Sequence, residues 1–178
     1  MKKIISIAAV CTLLLALCAC DSEPSLISTE PNSSNVSNEV AATGGDKKFQ
    51  LGDTVELNDV TVTFIDVTEN EGSKYNKPAE GKVFVLCEFE ITNNSEDDLS
   101  VSSMLSFEAY CDDYTCDYSL SALTEKGDKN QLDGSVAAGK KMRGVIGYEV
   151  PTDWAQLEIQ YTLDVWSDDK IVFVATNN

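Results

Sequence analysis

The chain contains no histidine. That removes a Ser-His or Cys-His nucleophilic pair, an imidazole metal ligand and the ordinary neutral-pH proton shuttle. Basic residues are also scarce, 13 Lys plus Arg against 30 Asp plus Glu, a formal net charge of −17. Binding to a phosphate backbone needs a basic surface, so no nucleic-acid partner is expected. No internal repeat is visible, and no amphipathic helix of 12 or more residues can be drawn anywhere in the 178. Apolar residues nevertheless make up 43% of the chain, enough for a packed core, so global disorder is not expected.

The longest apolar run is Ile4 to Leu17, behind the positive Met1-Lys2-Lys3. It is too short for a ~30 Å hydrocarbon core, which needs about 20 residues. Its layout is that of a secretory signal peptide. The run ends in Leu17-Cys18-Ala19-Cys20 before polar Asp21-Ser22-Glu23, which resembles the lipobox of bacterial lipoproteins. The resemblance implies that residues 1–19 are a lipoprotein signal peptide cleaved before Cys20, whose thiol is lipidated. The acyl chains make the membrane itself a partner, since two or three chains anchor stably where one is marginal. The expected localisation is the extracytoplasmic face of a bacterial cell membrane. Loss of Lys2 and Lys3 with the signal would leave 11 basic residues against 30 acidic ones, a charge of −19.

Residues 20–48 are rich in Ser, Asn, Glu and Thr, with Pro24, Pro31 and Gly44-Gly45. Such a segment buries too little surface to offset its conformational entropy and is expected to be a disordered tether. As a flexible coil it would reach roughly 25–30 Å.

Residues 49–178 read as strands. In Lys82 to Thr92, Val83, Val85, Cys87, Phe89 and Ile91 share one face, and Phe84, Leu86, Glu88 and Glu90 the other. Leu105, Phe107, Ala109 and Cys111 share a parity in a second strand. Met142 to Val150 alternates until Pro151 stops it, and Ala155 to Leu163 alternates throughout. Asn58 to Thr68 slips phase between Phe64 and Ile65, the sign of a bulge. Thr54 to Leu57 is a short opening strand, and Ile171 to Ala175 is apolar on both faces. Ser119 to Asp133 has room for a helical turn. The expected fold class is all-β: an immunoglobulin-like β-sandwich of seven to eight short strands after a signal peptide and a flexible linker.

These segments also resemble a family in their order. Leu51-Gly52-Asp53-Thr54-Val55, Val60-Thr61-Val62-Thr63, Lys77-Pro78 and Gly81-Lys82-Val83-Phe84-Val85 come first. Ile91-Thr92-Asn93-Asn94-Ser95, Ala138-Gly139-Lys140, Arg143-Gly144 and Tyr148-Glu149-Val150-Pro151 follow. The order looks like that of the secreted immunoglobulin-like lipoprotein domains grouped as "domain of unknown function 4352". The resemblance implies an extracellular β-sandwich, mostly on Gram-positive cells, and supplies no catalytic residues.

Candidate sites come from the remaining chemistry. Gly134 to Lys141 nearly spells a phosphate-binding loop, but the Mg²⁺-binding hydroxyl is replaced by Lys141 and a strand follows where a helix is needed. Asp128 to Gly134 departs from a calcium-binding helix-loop-helix at its fifth position, Leu132, and lacks the bidentate Glu. A looser calcium site at Asp112, Asp113 and Asp117, or at Glu96-Asp97-Asp98, stays open, because Ca²⁺ takes six to eight oxygens. Solvated turn carboxylates are the plain alternative. With Cys11 and Cys18 in the signal and Cys20 lipidated, Cys87, Cys111 and Cys116 remain. Cys111 and Cys116 bracket Asp112-Asp113-Tyr114-Thr115, read as a four-residue hairpin loop, and make the favoured disulfide; Cys87 with Cys111 is the competitor, and free thiols the third option. Nearby aspartates and the absent histidine argue against a catalytic thiol. Trp154 and Trp166 flank a strand and are expected to pack in the core rather than stack on a sugar.

The resulting expectation is a membrane-anchored lipoprotein whose sandwich is a binding module for an envelope protein, a peptide or a cell-wall polymer. A Ca²⁺-dependent ligand- or substrate-binding lipoprotein is the alternative, and an enzyme working without histidine the third.

Overall fold

The computed structural model describes residues 23–29, 47–163 and 169–177. The signal peptide, Cys20 and Trp166 lie outside the described residues. Twelve strands and one short helix are described, in the order β1 (Ser25–Thr29), β2 (Lys48–Gln50), β3 (Asp53–Leu57), β4 (Val60–Asn70), β5 (Lys82–Asn93), β6 (Leu99–Ser102), β7 (Phe107–Cys111), β8 (Tyr114–Thr115), α1 (Leu120–Thr124), β9 (Asp133–Val136), β10 (Lys141–Pro151), β11 (Gln156–Thr162) and β12 (Lys170–Thr176). The seven strands legible in the sequence are all present. The additional ones, β1, β2, β6, β8 and β9, are two to five residues long, too short for alternation to register.

Two five-stranded sheets face each other, ordered β1-β3-β4-β5-β10 and β2-β12-β11-β7-β8, with β6-β9 as a separate pair. Neighbours run antiparallel except β2 beside β12, which is parallel. The expected sandwich is therefore what these residues form. Its centre is aromatic: the Phe64 and Phe89 rings stack at 4.6 Å, and Phe173 meets both edge-on at 5.7 and 5.5 Å. Phe89 also touches Phe107 at 5.6 Å, and Phe107 touches Tyr161 at 4.9 Å.

Several local readings change in the structure. Asn58 and Asp59 both have positive φ (49° and 60°), so they form the two-residue turn between β3 and β4 rather than the start of a strand. Short polar side chains tolerate that left-handed region. The register shift expected in β4 is found between Phe64 and Asp66. Leu105 is not on a strand. It is 70% exposed in a turn where the Leu105 and Ser106 N–H groups both donate to the Ser102 carbonyl. Ser25–Thr29, assigned to the tether by its composition, forms β1 on the edge of β3. All five residues are exposed, and the strand is held by the ladder and by Thr29 Oγ1 donating to Asp53 at 2.8 Å. Backbone pairing on an edge is a stabilisation that composition does not encode.

The outer face of β5 changes character along its length. Phe84 and Leu86 pack beneath Ala122 and Leu123 of α1, with Val145 beside them. Farther along, Glu88, whose side chain is 8% exposed, takes bonds from Lys129 Nζ and Arg143 Nε, both at 2.6 Å. Asp66 lies directly opposite Glu88 on β4, and Lys129 also reaches it at 3.4 Å. A lysine spanning the two acids offsets like-charge repulsion across the strands. Burial alone would push the Glu88 carboxyl up, but the bonds from Lys129 and Arg143 outweigh it and hold the group below its ordinary value.

A carboxyl depressed in the folded state contributes stability above its unfolded pKa of about 4.3, and loses it as pH falls through the lower folded value. Thermal melts should therefore be insensitive to this group from pH 7 to 5 and fall below about pH 4. Glu88→Gln should flatten part of that acid slope. Identical slopes for the two proteins would refute the role given to Glu88.

Candidate functional site

On one long side of the sandwich β2 lies against β3, with β1 on the outer edge of β3. On the other side the chain crosses from β7 and β8 to the edge of β10 as it passes toward α1, and residues 119 and 130–132 bond that edge. The crossing begins at the β7–β8 hairpin. Asp112 and Asp113 both have positive φ (47° and 68°), and Cys111 pairs directly with Tyr114. The loop is thus a two-residue turn, not the four-residue loop read from the sequence. Left-handed aspartates are the backbone signature of a tight hairpin of this kind. Asp112 also fastens the turn to β11: its carboxylate accepts the Ala155 N–H at 3.1 Å and the Gln156 N–H at 2.8 Å.

After Thr115 the chain leaves sheet order. The Cys116 N–H still reaches the Ala109 carbonyl at 2.8 Å, and Tyr118 then forms a bridge with Tyr148 of β10. Two hollows flank this crossing and share residues 115–118. The larger, about 550 Å³, lies between the hairpin and the end of β10. Its charged lining is Asp112, Asp117, Glu149 and Asp153 against Lys82, so it favours cations. Tyr114 stands at its rim, 79% exposed. The smaller, about 410 Å³, lies along β7 below Met104.

Asp112 and Asp117 come together at this hollow. Asp112 is committed to backbone N–H groups, and no group of three carboxylate or thiol ligands suited to a metal occurs among the described residues. Asp113 is absent from the lining of either hollow, and Glu96-Asp97-Asp98 follow the far end of β5. The oxygen-rich loops thus sit at opposite ends of the sandwich.

The cysteines also differ from expectation. Cys87, Cys111 and Cys116 are free thiols, so neither Cys111–Cys116 nor Cys87–Cys111 is bridged. In the observed register Cys116 lies opposite Ala109 rather than Cys111, making Cys111 a diagonal neighbour. Diagonal neighbours have Cα atoms about 7–8 Å apart, beyond the usual disulfide span of about 4.4–6.8 Å. Burial and the charge of Asp112 push the Cys111 thiol up to about 11. Burial, Cys111 and Asp117 do the same for Cys116, also to about 11. Cys87 is raised by burial, and the sulfur nearest to it in effect is Cys116. Thiols this weakly acidic are poor nucleophiles at neutral pH. Intact mass after alkylation in denaturant without reductant should show all three labelled, with little labelling of the folded protein at pH 7. A form two hydrogens lighter, with a single label, would overturn the free-thiol assignment.

Trp154 is 3% exposed and donates from Nε1 to Glu69 at 2.6 Å, a core role as expected. Sequence reading did not find Lys82, Tyr114, Glu149 or Asp153. Only the two-residue turn and the strand pairing Lys82 with Pro151 bring them together.

No curated protein matches the sequence. Solved structures share the fold. A Bacillus subtilis protein, ycdA, proposed to be a lipoprotein, superposes with a TM-score of 0.56 at 23% identity; the match covers 67% of this chain and 37% of that one. The B. subtilis yjhA protein gives 0.54 at 19% identity over 70% of this chain and 97% of its own. A Listeria monocytogenes protein of unknown function gives 0.50 at 15% identity, covering 70% and 80%. The family described as "Domain of unknown function (DUF4352)" matches residues 49–171, from β2 into β12 and across both hollows, and the chain belongs to that family.

Proposed function

We propose that this protein is a lipid-anchored, extracytoplasmic interaction module that recognises its partner through the side of the sandwich between β7 and β10. The lipobox-like ending at Cys20 supports the anchor. The observation that carries the recognition reading is the 550 Å³ acidic hollow, rimmed by the exposed Tyr114 and lying beside a second hollow. Loops and strand ends displayed by a rigid sandwich are the usual place for binding residues. An exposed tyrosine brings a large, stiff contact surface at low entropic cost.

A photo-crosslinking residue placed at Tyr114 in living cells should yield a discrete membrane-associated adduct. The same residue at Lys141, on the outer face of the opposite sheet, should yield none. Equal adducts from both positions would sink the choice of side. In a Cys20→Ala background the chain should leave the membrane fraction, and its continued retention there would refute the anchor.

A further inference from the structure

We infer that the uncovered edge of β7 is an acceptor for an extended, basic peptide, which would add to its sheet where β8 stops short. The inference rests on the reading of this side as the recognition side, and it names the partner's chemistry.

The hydrogen-bond phase of β7 is set by two contacts with β11. Asp112 N–H donates to the Gln156 carbonyl at 3.0 Å, and Thr162 N–H donates to the Ser106 carbonyl at 2.9 Å. In an antiparallel ladder, backbone groups alternate between the two edges. Ser106, Glu108 and Tyr110 therefore face β11. Phe107, Ala109 and Cys111 turn their N–H and C=O groups the other way. There, Cys111 is answered by Tyr114, and the Ala109 carbonyl by the Cys116 N–H. The Phe107 N–H and carbonyl have no partner among the described residues, whereas the edge at Ala109, which is 3% exposed, is already taken by Cys116. One donor and one acceptor on the same residue match one residue of another extended backbone.

Two other edges of the sandwich, those of β10 and β1, are answered or spoiled. On β10, Val145 donates to the Asn130 carbonyl and accepts from Leu132, and the Gly147 carbonyl accepts from Ser119. On β1 the register shifts between Leu26 and Ser28, the kind of irregularity that discourages edge pairing.

The surroundings select the occupant. Phe107, itself 7% exposed, lines the 410 Å³ hollow together with Met104, Tyr110 and Tyr118, with Glu108 and Asp117 as its charges. The adjoining hollow adds Asp112, Glu149 and Asp153 against Lys82 alone. A second copy of a chain with net charge −17 would be repelled from such a surface. An extended peptide alternating cationic and medium-sized apolar side chains meets both requirements.

The test uses the full chain and a fluorescent peptide of alternating Lys and Val, with two controls. One control replaces Lys by Glu; the other is N-methylated on alternate backbone nitrogens. The Lys peptide should bind saturably and slow hydrogen exchange in the segment 104–111. The N-methylated peptide should bind at least about tenfold more weakly, as expected for a lost backbone bond, and the Glu peptide not at all. Equal binding by the N-methylated or Glu peptide, unchanged exchange in 104–111, or no binding at millimolar peptide would overturn the inference. Should Tyr114 crosslink in cells while the peptide fails, this inference falls and the recognition side stands.

Discussion

Replacing Phe89 with alanine is expected to cost about 3–5 kcal/mol, seen as a lower urea midpoint with an unchanged slope. Phe89 is fully buried and contacts three other rings, the stacked Phe64, the edge-on Phe173 and the tilted Phe107. Those partners come from β4, β12 and β7, so one side chain joins both sheets. Truncation leaves a cavity that four separate strands would have to move to fill, and the ladders between them resist that movement. Small domains of this size are stable by about 5–15 kcal/mol, so the variant should be only marginally folded at 37 °C. A loss below about 1 kcal/mol would mean that the two sheets are not held together by this cluster.

A second large effect is expected at Gly147. A Cβ built there would lie 2.8 Å from the Ala122 Cβ and 3.2 Å from both the Leu123 N and the Ser119 carbonyl oxygen. The helix α1 thus rests directly on the β10 backbone. Gly147→Val should lift α1 away, uncovering Phe84 and Leu86, at a cost of about 1–3 kcal/mol. Hydrogen exchange should accelerate in 119–125 while the β5 ladder stays protected. Unchanged exchange in that segment would show that the close approach is not what seats the helix. Gly144 is at least as constrained, because a Cβ there meets the Asn130 and Gln131 backbone at 2.9 Å.

Period-two alternation revealed the long strands because each buries one face, and the apolar double face of β12 is equally informative. Ile171, Phe173 and Ala175 enter the core, while Val172 and Val174 are covered on the outside among Lys48, Gln160, Gln50 and Glu158. What alternation could not show is where a chain reverses. Asn58-Asp59 and Asp112-Asp113 adopt left-handed turns without the glycine that usually announces them. Missing the second of these displaced Cys116 by one pairing step and suggested a disulfide that the register does not favour. The candidate site was legible only as separate acids and cysteines. Its shape depends on where β8 ends and Tyr118 crosses to β10, which is a property of topology.

The docking of β1 bears on how the domain is held. Ser25 pairs with Glu56, beside the Asn58-Asp59 turn, and Cys20 precedes it by five residues. Five extended residues span at most about 17 Å. For a chain attached at Cys20, that length, and not the whole of residues 20–48, sets the leash. The turn at Asn58-Asp59 then stands nearest the attachment point. The pairing of Lys82 with Pro151 lies at the other end of β5, roughly 35 Å away along the strand. In a chain so attached, the acidic hollow would stand at the end of the sandwich away from the attachment point.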